Sequence, residues 1–219
     1  MVTPGRTVAD IGCDHGYVGI TAILEARAQT VVACDINEGP LEAARSNAGF
    51  YKTAERMDFR LANGLEKVAP NEADVVLIAG MGGRLMADIL SRGERVTKSA
   101  DYMILSPQSD IPFFREYLRD NGYSILSEKL LFDEGKYYYI LKAACAAGRR
   151  WEYPCQELGM LFGGYLLDGR DETLKKYLEW QKALKKEIIL KIDKKANSDA
   201  ARKVEAELEQ IEMALRLYW

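Results

Sequence analysis

The ten residues Thr7–Gly16, T-V-A-D-I-G-C-D-H-G, constrain this chain more than any other stretch. A short apolar run ends in an acid, Asp10, and a loop carrying Gly12 and Gly16 leads into an apolar-rich segment. That order predicts a buried parallel strand over Thr7–Gly12, a tight turn, and a helix over Tyr17–Ala28. Glycine permits the turn and lets a ligand reach the backbone, because no β-carbon stands in the way. The helix start adds free N–H groups and the positive end of the helix dipole. Two ligand classes compete for such a loop, with an ordinary strand-to-helix turn as the third reading. A dinucleotide needs G-x-G-x-x-G, and glycines at 12, 16 and 19 fit that poorly. S-adenosylmethionine (SAM) carries an ammonium and a sulfonium but no phosphate. Carboxylates at Asp10 and Asp14 suit it and would repel a pyrophosphate. The order D-x-G-x-x-x-G therefore favours SAM.

Beyond this loop, strands and helices alternate. Thr30–Ile36 reads as a second strand, apolar until Asp35. An acid at that tip suits the two hydroxyls of a ribose, whether of NAD or of SAM, and an exposed strand-end acid is the plain alternative. Glu38–Phe50 reads as a helix with Pro40 in its first turn, where proline is tolerated. Asp58–Ala62 is a short third strand ending at Asn63-Gly64. The Asn63 side chain can bond an adenine amino group there, or the pair can simply be a turn. Asp74–Ala79 is apolar after its first residue, the mark of a central strand covered on both faces, and it runs into Gly80-Met81-Gly82-Gly83. Ligands in open α/β sheets bind at this carboxyl edge. A helix over Arg84–Ser91, a strand over Tyr102–Leu105, the loop Ser106-Pro107-Gln108 and a helix over Ile111–Asp120 follow. Tyr123–Phe132 and Lys136–Ala143, joined by Asp133-Glu134-Gly135, form a hairpin. Tyr137–Tyr139 read as strand residues alternating in and out. The whole predicts an α/β fold with a mixed seven-stranded sheet. The closing hairpin sets it apart from dinucleotide dehydrogenases.

The remaining residues predict an appendage. Ala144–Asp171 is a glycine-rich junction, and Thr173–Ile192 and Ala200–Leu217 carry apolar residues at spacings of three and four, broken at Ala196–Asp199. They read as an antiparallel helical hairpin, coiled-coil-like. The expected domains are 1–145 and 146–219. Between Lys175 and Lys203 stand ten Lys/Arg and four acids, a local +6 in a chain of net charge −3. Such a segment can grip a phosphate backbone, with a solvated helix face as the alternative. No apolar run reaches the ~18 residues of a membrane span, and the chain lacks the pattern of a signal peptide. The four scattered cysteines (Cys13, Cys34, Cys145, Cys155) read as reduced thiols of a cytoplasmic protein. The sole histidine, His15, cannot build a zinc site with them, so no metal is expected. Nothing in the sequence fixes the oligomeric state.

Four segments together, V-A-D-I-G-C-D-H-G-Y, A-C-D-I-N, D-V-V-L-I-A-G-M-G-G and D-E-G-K-Y-Y-Y-I, resemble the bacterial tRNA (adenine-22-N1)-methyltransferase family, TrmK. The resemblance covers nearly the whole chain, helical hairpin included. It implies a Rossmann-like class I methyltransferase fold, SAM as donor with S-adenosylhomocysteine as product, and transfer to N1 of an adenine in the D-loop region of tRNA. Carried over by position, the cofactor residues are Asp10, Gly12, Cys13, Asp14, Gly16, Asp35, Ile36, Asn63, Gly64, Ala79, Gly80 and Met81. Asp14 and His15 are the candidate catalytic pair beside the methyl group. Gly82, Gly83 and Gln108 are the candidates for the target base, and Lys182, Lys185 and Lys186 for the tRNA body. The chain departs from the family in having Asn63 where relatives carry an acid, and Ser106-Pro107-Gln108 where they carry Gln-Pro-Asn. Relatives also begin with an extra helix ahead of the first strand, whereas this sequence starts shortly before that strand and reads as a shortened form. The rival readings are a SAM-dependent enzyme acting on a protein or small molecule, a non-catalytic SAM-binding interaction protein, and an NAD enzyme.

Overall fold

A computed structural model of the chain describes residues 1–145, 156–191 and 198–218. It divides into two compact units, Met1–Ser127 with Tyr139–Glu152, and Glu128–Tyr138 with Tyr153–Trp219.

Strands and helices alternate in the order β1 (Arg6–Ile11), α1 (Tyr17–Leu24), β2 (Ala28–Asp35), α2 (Glu38–Phe50), β3 (Met57–Leu61), β4 (Val75–Met81), α3 (Gly83–Arg92), α4 (Glu94–Ser99), β5 (Tyr102–Pro107), α5 (Ile111–Asp120), β6 (Tyr123–Asp133) and β7 (Lys136–Cys145). The seven strands form one sheet in the order β3-β2-β1-β4-β5-β7-β6. β1 pairs in parallel with both β2 and β4, so the strand order reverses direction on either side of β1. β5 pairs in parallel with β4 and antiparallel with β7. This is the mixed sheet and Rossmann-like methyltransferase architecture expected from the sequence.

The apolar runs explain the layering. Val75, Val76 and Ile78 of β4 and Met103 and Leu105 of β5 are fully buried, as strands covered on both faces must be. α1 and α2 lay Ile20, Ile23, Leu41, Ala44 and Ala48 into one cluster with Val8, Val31 and Val75. α3 buries Met86 and Leu90, and α5 buries Phe114 and Leu118.

α2 and α5 begin and end where the sequence predicts. α1 does not, because it stops at Leu24 rather than Ala28. Ala26 turns at φ +55°, the Arg27 N–H donates to Ala22 O, and Ala28 already pairs with Arg6 at the start of β2. A 3₁₀ turn at Ala54–Arg56 and the six-residue α4 have no counterpart in the sequence reading, being too short to show a period. The junction also holds helices, α6 (Gln156–Phe162) and α7 (Gly164–Asp168).

The second unit is completed by α8 (Glu172–Lys191) and α9 (Ser198–Arg216). They run antiparallel, since Lys182 meets Glu212 while Lys185 meets Glu207. Leu174 and Leu178 of α8 and Ala201, Ile211 and Ala214 of α9 are buried. The expected break at Ala196-Asn197, together with Lys194, Lys195, Cys155 and residues 146–155 of the junction, lies outside the described residues. Among the described residues no helix is long and apolar enough to cross a membrane.

Candidate active site

The carboxyl edges of β1, β2 and β4 converge where the strand order reverses, the place where open α/β sheets bind ligands. The chain leaves β1 at Gly12, whose φ of +71° favours glycine. The Cys34 carbonyl accepts the N–H of Gly12 at 2.8 Å and that of Cys13 at 3.0 Å, fastening the loop to the neighbouring strand. A β-carbon at Gly12 would come within 2.1 Å of Met81 Cε, so the turn sits directly against the β4 glycine segment.

Asp35 organises the next layer. Its Oδ2 accepts the Asp14 N–H at 3.0 Å and its Oδ1 accepts the Asn37 N–H at 2.9 Å. One carboxylate thus ties the loop after β1 to the entry of α2. Each oxygen keeps a further lone pair for a ligand hydroxyl.

These elements enclose a cleft of about 390 Å³. Its wall takes Gly12 and Asp14 from the first loop, Asp35 and Ile36 from the β2 tip, Asn63 and Gly64 after β3, and Ala79, Gly80 and Met81 from β4. Ile11, Asn37, Ala62, Leu85 and Ile89 also line it and were not foreseen. Leu85 and Ile89 lie four apart on α3, a helical spacing that, read beside the glycine segment, marks one apolar wall. Asn37 completes the A-C-D-I-N motif. Volume, an apolar wall and a few convergent polar groups are the attributes of a small-molecule site. The carboxylates Asp14 and Asp35 suit a cationic nucleoside with a free ribose.

Asp10, Cys13 and Gly16 are not brought into this cleft. Asp10 is buried beneath the loop, with Oδ2 lacking a hydrogen-bond partner. Burial pushes its pKa up to about 7, the Gly19 N–H offsets part of that, and the Asp35 charge adds to it. Burial likewise pushes the Cys13 thiol up to about 12 and Cys34 up to about 11, which keeps both protonated and unreactive. Gly16 caps α1 in the left-handed conformation.

His15 is half-exposed and lies outside the cleft wall, its Nε2 3.6 Å from Asp14 Oδ1. Of the candidate catalytic pair, only Asp14 reaches the cavity. Asn63 lines the cleft as expected; its Oδ1 accepts a bond from Arg92 Nη2 at 3.3 Å and keeps a second lone pair.

Gly82, Gly83 and Gln108 form the shelf beside the cleft. The Gln108 N–H donates to Met81 O and the Gly83 N–H to Ser109 O, each at 2.9 Å. Gly83 has no room for a side chain, because a β-carbon would lie 2.8 Å from Ser109 O and 2.9 Å from Asp110 O. Lys182, Lys185 and Lys186, on α8 in the second unit, face the carboxylates of α9. Lys185 meets Glu207 at 2.5 Å, Lys182 meets Glu212 at 3.0 Å, and Lys186 lies 3.8 Å from Glu212. These three of the ten basic residues therefore have counter-charges on the next helix. Among the described residues, no group of three His, Cys, Asp or Glu could hold a metal ion.

Fold and cleft together define a Rossmann-like methyltransferase, and residues 1–141 match the family described as a methyltransferase domain. The tRNA (adenine(22)-N(1))-methyltransferase of Bacillus subtilis is 34% identical over 178 residues, 80% of this chain and 74% of that protein. The crystal structure of the B. subtilis m1A22 tRNA methyltransferase TrmK is 28% identical, covers 98% of this chain and 94% of its own, and superposes with a TM-score of 0.79. Streptococcus pneumoniae Sp1610 in complex with S-adenosyl-L-methionine is 25% identical with a TM-score of 0.85, covering 98% and 94%. The chain belongs to the tRNA (adenine(22)-N(1))-methyltransferase family.

Proposed function

We propose that this chain methylates N1 of adenine 22 in the D-loop region of tRNA, with SAM as donor. The observation that carries the reading is the family relationship over four-fifths of the chain, combined with a cleft built on the residues the family motifs supply. The cleft fits the donor: Asp35 keeps lone pairs for the ribose hydroxyls, Ile36, Leu85 and Ile89 offer an apolar wall, and Gly12 leaves the backbone bare. Bound there, SAM supplies an electrophilic methyl group and leaves as S-adenosylhomocysteine.

The residues of this chain then act by position and charge. Adenine N1 carries its own lone pair, so attack needs no strong base, and alignment is the main demand. Asp14 stands at the cleft wall with its carboxylate largely exposed. It would stabilise the positive charge that develops on the base as N1 is methylated. Gly80–Gly83, with Gln108 over Gly80, would hold the flat face of the adenine against the shelf. N1 lies on the pairing edge, so the base must leave its stack first, at roughly a few kcal/mol. In this reading residues 1–145 carry the cofactor and the chemistry, residues 146–219 contact the tRNA body, and the enzyme works in the cytoplasm.

The test is methyl transfer from labelled SAM to unmethylated tRNA transcripts, followed by nuclease digestion. Label recovered as 1-methyladenosine, and lost when adenine 22 is replaced, is the expected result. SAM binding without transfer to any tRNA, or transfer to protein instead, overturns it.

A further inference from the structure

On the shelf beside the cleft, one cation is held in place by two separate contacts. Arg84 follows Gly83 and precedes Leu85, a residue of the cleft wall. Its Nε donates to Asp110 Oδ1 at 3.2 Å, and its guanidinium carbon lies 4.5 Å from the centre of the Phe113 ring. Asp110 is itself fixed, at φ +52° with Ser109 Oγ donating to its Oδ2 at 3.1 Å. The left-handed conformation carries a strain cost for a residue with a side chain, and such costs concentrate where geometry serves a site. The β4 and β5 loops behind it are interlocked through Gly83 and Ser109. A long side chain that would otherwise sample many rotamers is thus placed on one spot.

Its chemistry is still available there. The Arg84 side chain is 69% exposed, and among the described residues Asp110, through Nε, is its one hydrogen-bond partner. The two Nη groups remain as a planar fork, the geometry that matches two phosphate oxygens. Lys182, Lys185 and Lys186 of α8 meet carboxylates of α9, whereas this guanidinium stays 69% exposed beside Leu85 of the cleft wall.

We propose that Arg84 anchors a backbone phosphate of the RNA next to the target adenine, so that the base reaches the cleft in register. The proposal rests on the tRNA reading above. Asp110 and Phe113 orient the fork, and Arg84 takes no part in methyl transfer.

The experiment is steady-state methylation of tRNA transcripts at several salt concentrations, with SAM affinity measured separately by calorimetry. Arg84→Ala should raise KM for tRNA about tenfold, with kcat held within about twofold. The slope of log affinity against log salt should fall by about one, the signature of one lost phosphate contact. SAM affinity should not move. Arg84→Lys should keep the salt slope but recover only part of the KM, since a point charge replaces a fork. Arg84→Gln, which retains a donor for Asp110, serves if the alanine variant unfolds. An unchanged KM and slope overturn the proposal, as does a variant that loses thermal stability and SAM affinity together at an unchanged slope, which would make Arg84 a strut between α3 and α5. If the wild-type chain methylates no tRNA, the tRNA reading falls and takes this proposal with it. If the wild type is active and Arg84→Ala matches it, only the proposal falls.

Discussion

Asp10→Asn should make this protein more stable at alkaline pH, although it alters the acid that opens the family motif. Asp10 is 3% exposed, and its Oδ2 has no hydrogen-bond partner. Burial is the main cause that pushes its pKa from 3.8 to about 7. In the unfolded chain the same carboxyl titrates near its ordinary value. Between the two values the folded protein holds a proton that the unfolded chain has released. This group therefore favours folding most below about pH 4, and the contribution is lost as pH rises to about 7. At about 1.4 kcal/mol for each tenfold, the full gap is on the order of 4 kcal/mol, of which on the order of 3 kcal/mol accrues between about pH 5 and pH 8. Asparagine keeps the shape and cannot ionise, so the stability of the variant relative to wild type should grow over that range. For a chain of this size that corresponds to roughly 5–10 °C in Tm. Thermal melts of both proteins without cofactor, followed by circular dichroism at constant ionic strength, measure it. The opposite contribution of Glu72, whose pKa the Arg60 hydrogen bond lowers, cancels in the difference. A gap between the two proteins that stays constant with pH, or that shrinks toward pH 8, would refute the reasoning.

Asp35→Ala removes the acceptor for two backbone amides and the ribose partner together, so SAM affinity should fall at least about tenfold by calorimetry, and an unchanged affinity would remove Asp35 from the cofactor site. Gly83→Ala presses a β-carbon on backbone oxygens that cannot yield, which should cost about 1–3 kcal/mol in denaturant unfolding. Gly49→Ala, with open space around it near the end of α2, should instead gain up to about 1 kcal/mol, and equal effects at the two positions would contradict the packing account. Lys185→Glu sets like charges against each other at Glu207 and should cost on the order of 1 kcal/mol in a thermal melt, while adding Glu207→Lys should restore the loss; a double variant no better than the single one would deny the pairing any role.

The sheet was readable because its signals are local. An apolar run such as D-V-V-L-I-A can hardly be anything but a central strand, and α2 and α5 carry their own boundaries in Pro40, Asn121 and Gly122. Much of the cleft wall was readable for the same reason, because strand ends and the glycines after them are contiguous in sequence. What the sequence did not show depends on contacts made only in the fold. Whether Asp10 faces the cleft or the space beneath the loop depends on how α1 packs back over β1, which places Gly19 against its carboxyl. The bond that the Asn63 oxygen accepts comes from Arg92, twenty-nine positions later. The basic segment was counted between Lys175 and Lys203, a window that stops short of Glu207 and Glu212, the very acids that the lysines meet. Counting charge along a sequence measures composition, whereas binding a phosphate depends on which cations remain uncommitted after folding. On that criterion the cation we propose for an RNA phosphate near the chemistry lies outside the lysine-rich helix. It is Arg84, a residue without a charged neighbour in sequence, whose single carboxylate partner is set by the turn that Gly83 makes against Ser109 and Asp110.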